Sequence, residues 1–167
     1  MAIIEKFLGK RVQIPEDRQY EGKQGLWVMR DGSAFTFGLS EPALVLLGGI
    51  NGLDWLASDG EAVEKGASVA FAITAKIMYI ESPLSGRINY NGKAKEEPSL
   101  VNQEPYGGGW LFKIVTGESQ EAAAFLDADS YLESLRATEG FKNPQGLKGG
   151  VSGICKAVYS GIRAQKI

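Results

Sequence analysis

Residues 68–86 read SVAFAITAKIMYIESPLSG, and this stretch sets the reading of the whole chain. Ser68 to Ala75 alternates as a strand does, with Val69, Phe71 and Ile73 expected on one face. Ile77 to Ile80 resumes a strand, and Pro83 and Gly86 bracket the turn that ends it. Lys76 is the only charged residue between Gly66 and Glu81. It lies where the two strands meet, so it is expected to project from a hairpin turn. On spacing alone, a lysine in such a place reads as a solubilising charge.

Short strands and turns continue on both sides. Upstream, Leu26-Trp27-Val28-Met29 runs into Asp31-Gly32, expected to be a two-residue hairpin turn, and Ala34 to Leu39 alternates again. Ser40 is an expected N-cap, Pro42 suits a first helical turn, and Gly48-Gly49 should stop a helix filled by Ala43 to Leu47. Asp59-Gly60 marks another turn. Downstream, Arg87 to Tyr90 reads as a strand ending in a turn at Asn91-Gly92. Glu96-Glu97-Pro98 opens an expected irregular loop through Tyr106, and Trp110 to Val115 reads as a buried strand. Residues 119–138 turn helical, with Asp127 or Asp129 as cap and Tyr131, Leu132 and Leu135 on one face. Past a linker at Asn143-Pro144 and Gly149-Gly150, Ile154, Val158 and Ile162 suggest a short terminal helix after Ser152.

Composition narrows the function. The 167 residues are 44% hydrophobic and 23% charged, ordinary for a globular domain, and the 22 glycines favour many turns. The net charge of −2 hides an acidic body and a basic end: beyond Glu139 there is no acid, while Lys142, Lys148, Lys156, Arg163 and Lys166 follow. An acidic body argues against a nucleic-acid-binding protein. The absence of histidine removes the commonest general base and metal ligand, so no metal site is expected. The single Cys155 excludes an internal disulfide and lacks a histidine partner for nucleophilic catalysis. It reads as a small apolar residue of the terminal helix, with a redox or docking thiol as the alternative. No apolar run reaches the ~18 residues that span a bilayer, and the N-terminal residues are too charged for a signal peptide. A cytoplasmic protein is expected, with membrane binding disfavoured.

Several motifs in order carry a resemblance to a known family. Trp27-Val28, Asp31-Gly32-Ser33-Ala34 and Gly38-Leu39-Ser40 resemble the opening strands of glycine-cleavage H-proteins. Asp59 to Gly66 resembles that family's acidic turn, and Ser82-Pro83-Leu84-Ser85-Gly86 resembles its Ser-Pro-x-Ser-Gly turn. The most distinctive stretch is Leu100-Val101-Asn102-Gln103-Glu104-Pro105-Tyr106-Gly107-Gly108-Gly109-Trp110-Leu111, which matches the family pattern almost position by position. Leu126-Asp127-Ala128 with Tyr131 is similar to its closing helix.

The resemblance implies a mainly β fold, a barrel-sandwich hybrid of the lipoyl/biotinyl-carrier type, with a short internal helix and C-terminal helices. Residues 1–22 would be an N-terminal arm or strand, 23–138 the lipoyl domain, and 139–167 a Gly-rich basic extension. It further implies a non-catalytic carrier with lipoate attached covalently to Lys76. The arm would shuttle an aminomethyl group between glycine decarboxylase, aminomethyltransferase and dihydrolipoyl dehydrogenase, after a lipoate-attaching enzyme had modified it. An exposed amine on a rigid tip suits that role, because acylation removes its charge before a partner pocket closes over it.

Four features depart from the family pattern. The span from Lys76 to Ser82-Pro83 is one residue short, Ile73 stands where an acidic residue is common, Gly25-Leu26-Trp27 replaces His-x-Trp, and the tail beyond Lys142 is longer than is usual. They leave two alternatives open: a specialised lipoate carrier in sulfur metabolism, and an unlipoylated scaffold or regulatory protein. Trp27 and Trp110 read as packing residues.

Overall fold

A computed structural model describes residues 2–117 and 119–146. Its elements run β1 (Ala2–Phe7), β2 (Lys10–Ile14), β3 (Gln19–Glu21), β4 (Leu26–Asp31), β5 (Ala34–Leu39), α1 (Glu41–Leu47), β6 (Gly52–Trp55), β7 (Ala62–Val63), β8 (Ser68–Ile73), β9 (Ile77–Glu81), β10 (Gly86–Tyr90), α2 (Gly92–Glu96), α3 (Ser99–Gln103), β11 (Phe112–Val115), α4 (Ala128–Ser134) and α5 (Glu139–Lys142). Short 3-10 turns at Ser119–Ala124 and Leu135–Ala137 fill the C-terminal part. The expected terminal helix and Cys155 lie outside the described residues. No described helix is long and apolar enough to cross a membrane.

Among the described residues the chain forms two compact units, one of residues 2 and 13–134, the other of residues 3–12 and 135–146. In the larger unit a six-stranded sheet, order β3-β4-β5-β11-β10-β7, and a three-stranded sheet, order β6-β8-β9, contribute to one core. Phe35, Phe37, Phe112, Ile114 and Ile88 enter it from the first sheet; Leu53, Val69, Ala70, Ala72 and Ile80 enter from the second. This is the mainly β, barrel-sandwich architecture expected from the sequence. In the smaller unit, Phe7 meets Phe141 edge-on at 5.9 Å. The Gly140 position there has no room for a Cβ, which would collide with the Phe7 ring.

Local chemistry explains much of this. Ser40 caps α1, its Oγ accepting from Ala43 N–H at 3.3 Å, and Gly48 ends the helix at φ +75°. Asp127 caps α4, its carboxylate accepting from Ser130 N–H at 2.8 Å; these hydrogen bonds hold its pKa below the usual value.

Four expectations shift. Asp31 pairs with Ala34, so the two-residue loop is Gly32-Ser33; Gly32 sits at φ +64° and Ser33 has no positive φ, the Gly-first pattern of a type II′ turn. Asn91-Gly92 is no hairpin. Asn91 is buried and precedes α2, because its amide donates to the carbonyls of Gly108 and Trp110 at 2.9 and 2.7 Å. The stretch from Glu96 to Tyr106 contains α3 instead of being irregular throughout. Finally, Val69 does not share a face with Phe71 and Ile73. Ser68 pairs with Glu81 and Ala70 with Ile80, so β8 holds one extra residue, a bulge at Val69. Val69 and Ala70 are both buried, whereas Ile73 is exposed. The Val69 carbonyl is satisfied twice, by Tyr90 Oη at 2.6 Å and Leu56 N–H at 3.0 Å.

Candidate functional site at a hairpin tip

β8 and β9 are antiparallel, and their last pair is Ile73 with Ile77. Three residues, Thr74-Ala75-Lys76, close the hairpin. Thr74 organises the closure. Its N–H and its Oγ1–H donate to the Lys76 carbonyl at 2.7 and 2.9 Å, and its Oγ1 accepts from Lys76 N–H at 3.2 Å. Both backbone groups of Lys76 are thus held by one neighbour, while the side chain is exposed. Among the described residues Lys76 forms no ion pair. On the neighbouring strand, Asp54 is paired with Lys95 at 2.8 Å; Glu81, at the far end of β9, is paired with Lys23 at 3.3 Å.

The tip differs from an enclosed active site. A cleft of about 520 Å³ in the same unit is lined by Glu21, Gln24, Lys65, Glu81, Glu121 and Phe125 among others, but not by Lys76. Burial pushes the Glu21 carboxyl upward there. Lys76 instead stands on a pinned backbone with its amine free, a geometry that fits covalent attachment of a long acyl arm.

The distinctive stretch from Leu100 to Leu111 is a structural latch. Asn102 pairs with the backbone of Ile50, accepting from its N–H at 3.0 Å and donating to its carbonyl at 2.8 Å. The Pro105 carbonyl accepts from the Trp27 indole at 2.7 Å. Tyr106 Oη accepts from Glu41 N–H at 2.9 Å and donates to the Gln13 carbonyl at 2.5 Å. Burial raises the Tyr106 pKa. Trp27 is buried, with Arg18 over its ring at 4.8 Å and Gly38 beneath it, so it is a packing residue as expected. Trp110 lies under Lys113 at 5.2 Å and is half-buried.

Sequence reasoning found the lysine but missed its apolar border. Phe71, Ile73, Ile77 and Tyr79 share one face of the hairpin through the pairs Phe71–Tyr79 and Ile73–Ile77, and Ile77 and Tyr79 are 58% and 60% exposed.

Fold and tip together define a class: small β carrier domains that present a lysine on a hairpin. A family model of the glycine cleavage H-protein matches residues 18–138. The glycine cleavage system H protein of Alteromonas mediterranea is 37% identical over 125 residues, 73% of this chain and 95% of its own length. That of Thermus thermophilus is 34% identical over 128 residues, 75% of this chain and 98% of its own. The crystal structure of the H protein from Mycobacterium marinum matches with a TM-score of 0.59 at 27% identity, covering 72% of this chain and 97% of that one. The chain belongs to the glycine cleavage H-protein family.

Proposed function

We propose that this chain is a lipoyl carrier of glycine cleavage, with lipoate in amide linkage to Lys76 Nζ. The observation that carries the reading is the exposed Lys76 side chain on a hairpin whose backbone is pinned by Thr74. When bound, lipoate would supply a redox-active dithiolane able to carry an aminomethyl group between enzymes. The domain does the remaining work. Thr74 fixes where the arm begins, and the pairing of β8 with β9 and with β6 up to Ile73 holds the base of the tip. Pairing of Asp54 with Lys95 occupies the carboxylate on the neighbouring strand. We assign the carrier to residues 23–138, with 139–167 as an accessory extension. Its partners on this reading are a lipoate-attaching enzyme, glycine decarboxylase, aminomethyltransferase and dihydrolipoyl dehydrogenase.

The test is to add the acylated chain to glycine decarboxylase and follow exchange of labelled carbon dioxide into glycine. Exchange that requires the acylated chain supports the glycine reading. An acylated chain that gives no exchange, beside an active reference H protein, would overturn it.

A further inference from the structure

The outer face of the hairpin carries an apolar stripe beside the lysine. Ile73 pairs with Ile77 and Phe71 with Tyr79, so two adjacent cross-strand pairs share one face immediately below the tip. The Phe71 and Tyr79 rings meet at 6.3 Å. The neighbouring Asp54, paired with Phe71 on β6, is already bridged to Lys95. Lys76, beside the stripe, forms no ion pair among the described residues.

Size limits what covers it. Ile73, Ile77 and Tyr79 are 43%, 58% and 60% exposed. Together they offer roughly 300–400 Å² of largely apolar surface. A stable complex takes about 800 Å² from each partner. The stripe is therefore too small to hold a second copy of the chain and fits a transient visitor. Its position names the visitor, because any enzyme acting at Lys76 Nζ must touch Ile73 and Ile77, the last pair before the loop.

We propose that this stripe is the docking surface for the enzyme that acylates Lys76, and that this enzyme presents an apolar rim there. The inference rests on the carrier reading. In the acylation, Lys76 Nζ forms a bond to the carbonyl carbon of an acyl adenylate made from lipoate and ATP. The carbon–oxygen bond to the phosphate breaks, AMP leaves with the electron pair, and Nζ releases two protons. The stripe takes no part in that chemistry; it holds the tip in the enzyme's mouth.

The test uses the full chain, lipoate, ATP and the lipoate–protein ligase of a panel that acylates the wild type fastest, with intact mass as readout. Ile73→Ser and Ile77→Ser should each raise KM about tenfold while leaving kcat within twofold. Ile73→Glu should slow acylation at least as much. Both positions are partly exposed, so melting temperatures should fall by only a few degrees, and a melting scan of each variant checks this. Variants acylated with wild-type KM, or faster acylation of Ile73→Glu, would overturn the inference while leaving the carrier reading intact. A wild-type dimer in light scattering that Ile77→Ser converts to monomer would assign the stripe to a second copy and also overturn it. A wild type left unmodified by every ligase, beside a modified reference H protein, would remove the carrier reading and this inference together.

Discussion

The Leu100–Leu111 latch and the Thr74–Lys76 tip are both connections within one unit, and they are built in opposite ways. Asn102, Pro105 and Tyr106 of the latch make five hydrogen bonds to residues 52–93 positions away in the chain. The tip is held by hydrogen bonds between Thr74 and Lys76 alone. The latch is the most recognisable stretch of the sequence, yet its side chains are spent on the scaffold. The tip contributes one lysine and almost no tertiary bonding. Recognisability and chemistry therefore sit in different places, and substitutions should separate them: latch changes should move stability, tip changes should move modification.

The largest effect should come from Gly109→Ala. A Cβ there would lie 2.6 and 2.7 Å from the backbone carbonyl oxygens of Leu100 and Glu104, which belong to the latch itself and cannot yield cheaply. We expect a loss of about 3 kcal/mol or more, read as a shift in the urea midpoint. Trp27→Phe comes next. It leaves the Pro105 carbonyl without its indole donor and a void beside Gly38, with an expected cost of about 2–3 kcal/mol in the same assay.

A smaller effect should appear in alkali. Burial pushes the Tyr131 hydroxyl up to about 12, and burial also raises Tyr20, which stacks on it at 4.6 Å. An unfolded tyrosine titrates near 10. Between about pH 10 and 12 the unfolded state therefore holds fewer protons than the native one, and stability falls as pH rises. Urea midpoints should be flat to about pH 9.5 and then decline, and Tyr131→Phe should flatten the decline. The smallest effect on stability should be that of Lys76→Ala, within about 0.5 kcal/mol of wild type by urea unfolding, since its side chain is exposed and has no described ion pair. A large loss at Lys76, or none at Gly109, would break the contrast.

What could be read from sequence follows from how local each determinant is. The cap at Ser40, the stop at Gly48 and the cap at Asp127 act within a turn of themselves, and all three were legible. The tip was legible because a single charge separated two apolar strands. Asn91-Gly92 carries a local hairpin signal that loses to tertiary bonds: the Asn91 amide answers carbonyls 17 and 19 residues away. The bulge at Val69 was hidden for a related reason. Alternation alone assigns Val69, Phe71 and Ile73 to one face, and only pairing with β9 reveals the extra residue. That slip concealed the exposed stripe beside Lys76. β11 pairs with β5 across more than 70 residues and with β10 across more than 20, an order set by core packing that has no local signature.

The central claim is that Lys76 carries the arm, and intact mass tests it most directly. The chain and its Lys76→Arg variant would each be coexpressed with a lipoate–protein ligase, beside a reference H protein as control. The account predicts a wild-type mass increased by one lipoyl group, mapped to Lys76 by peptide fragmentation, and an unmodified variant. A wild type that stays unmodified while the control is lipoylated, or a variant that still gains the group, would contradict it.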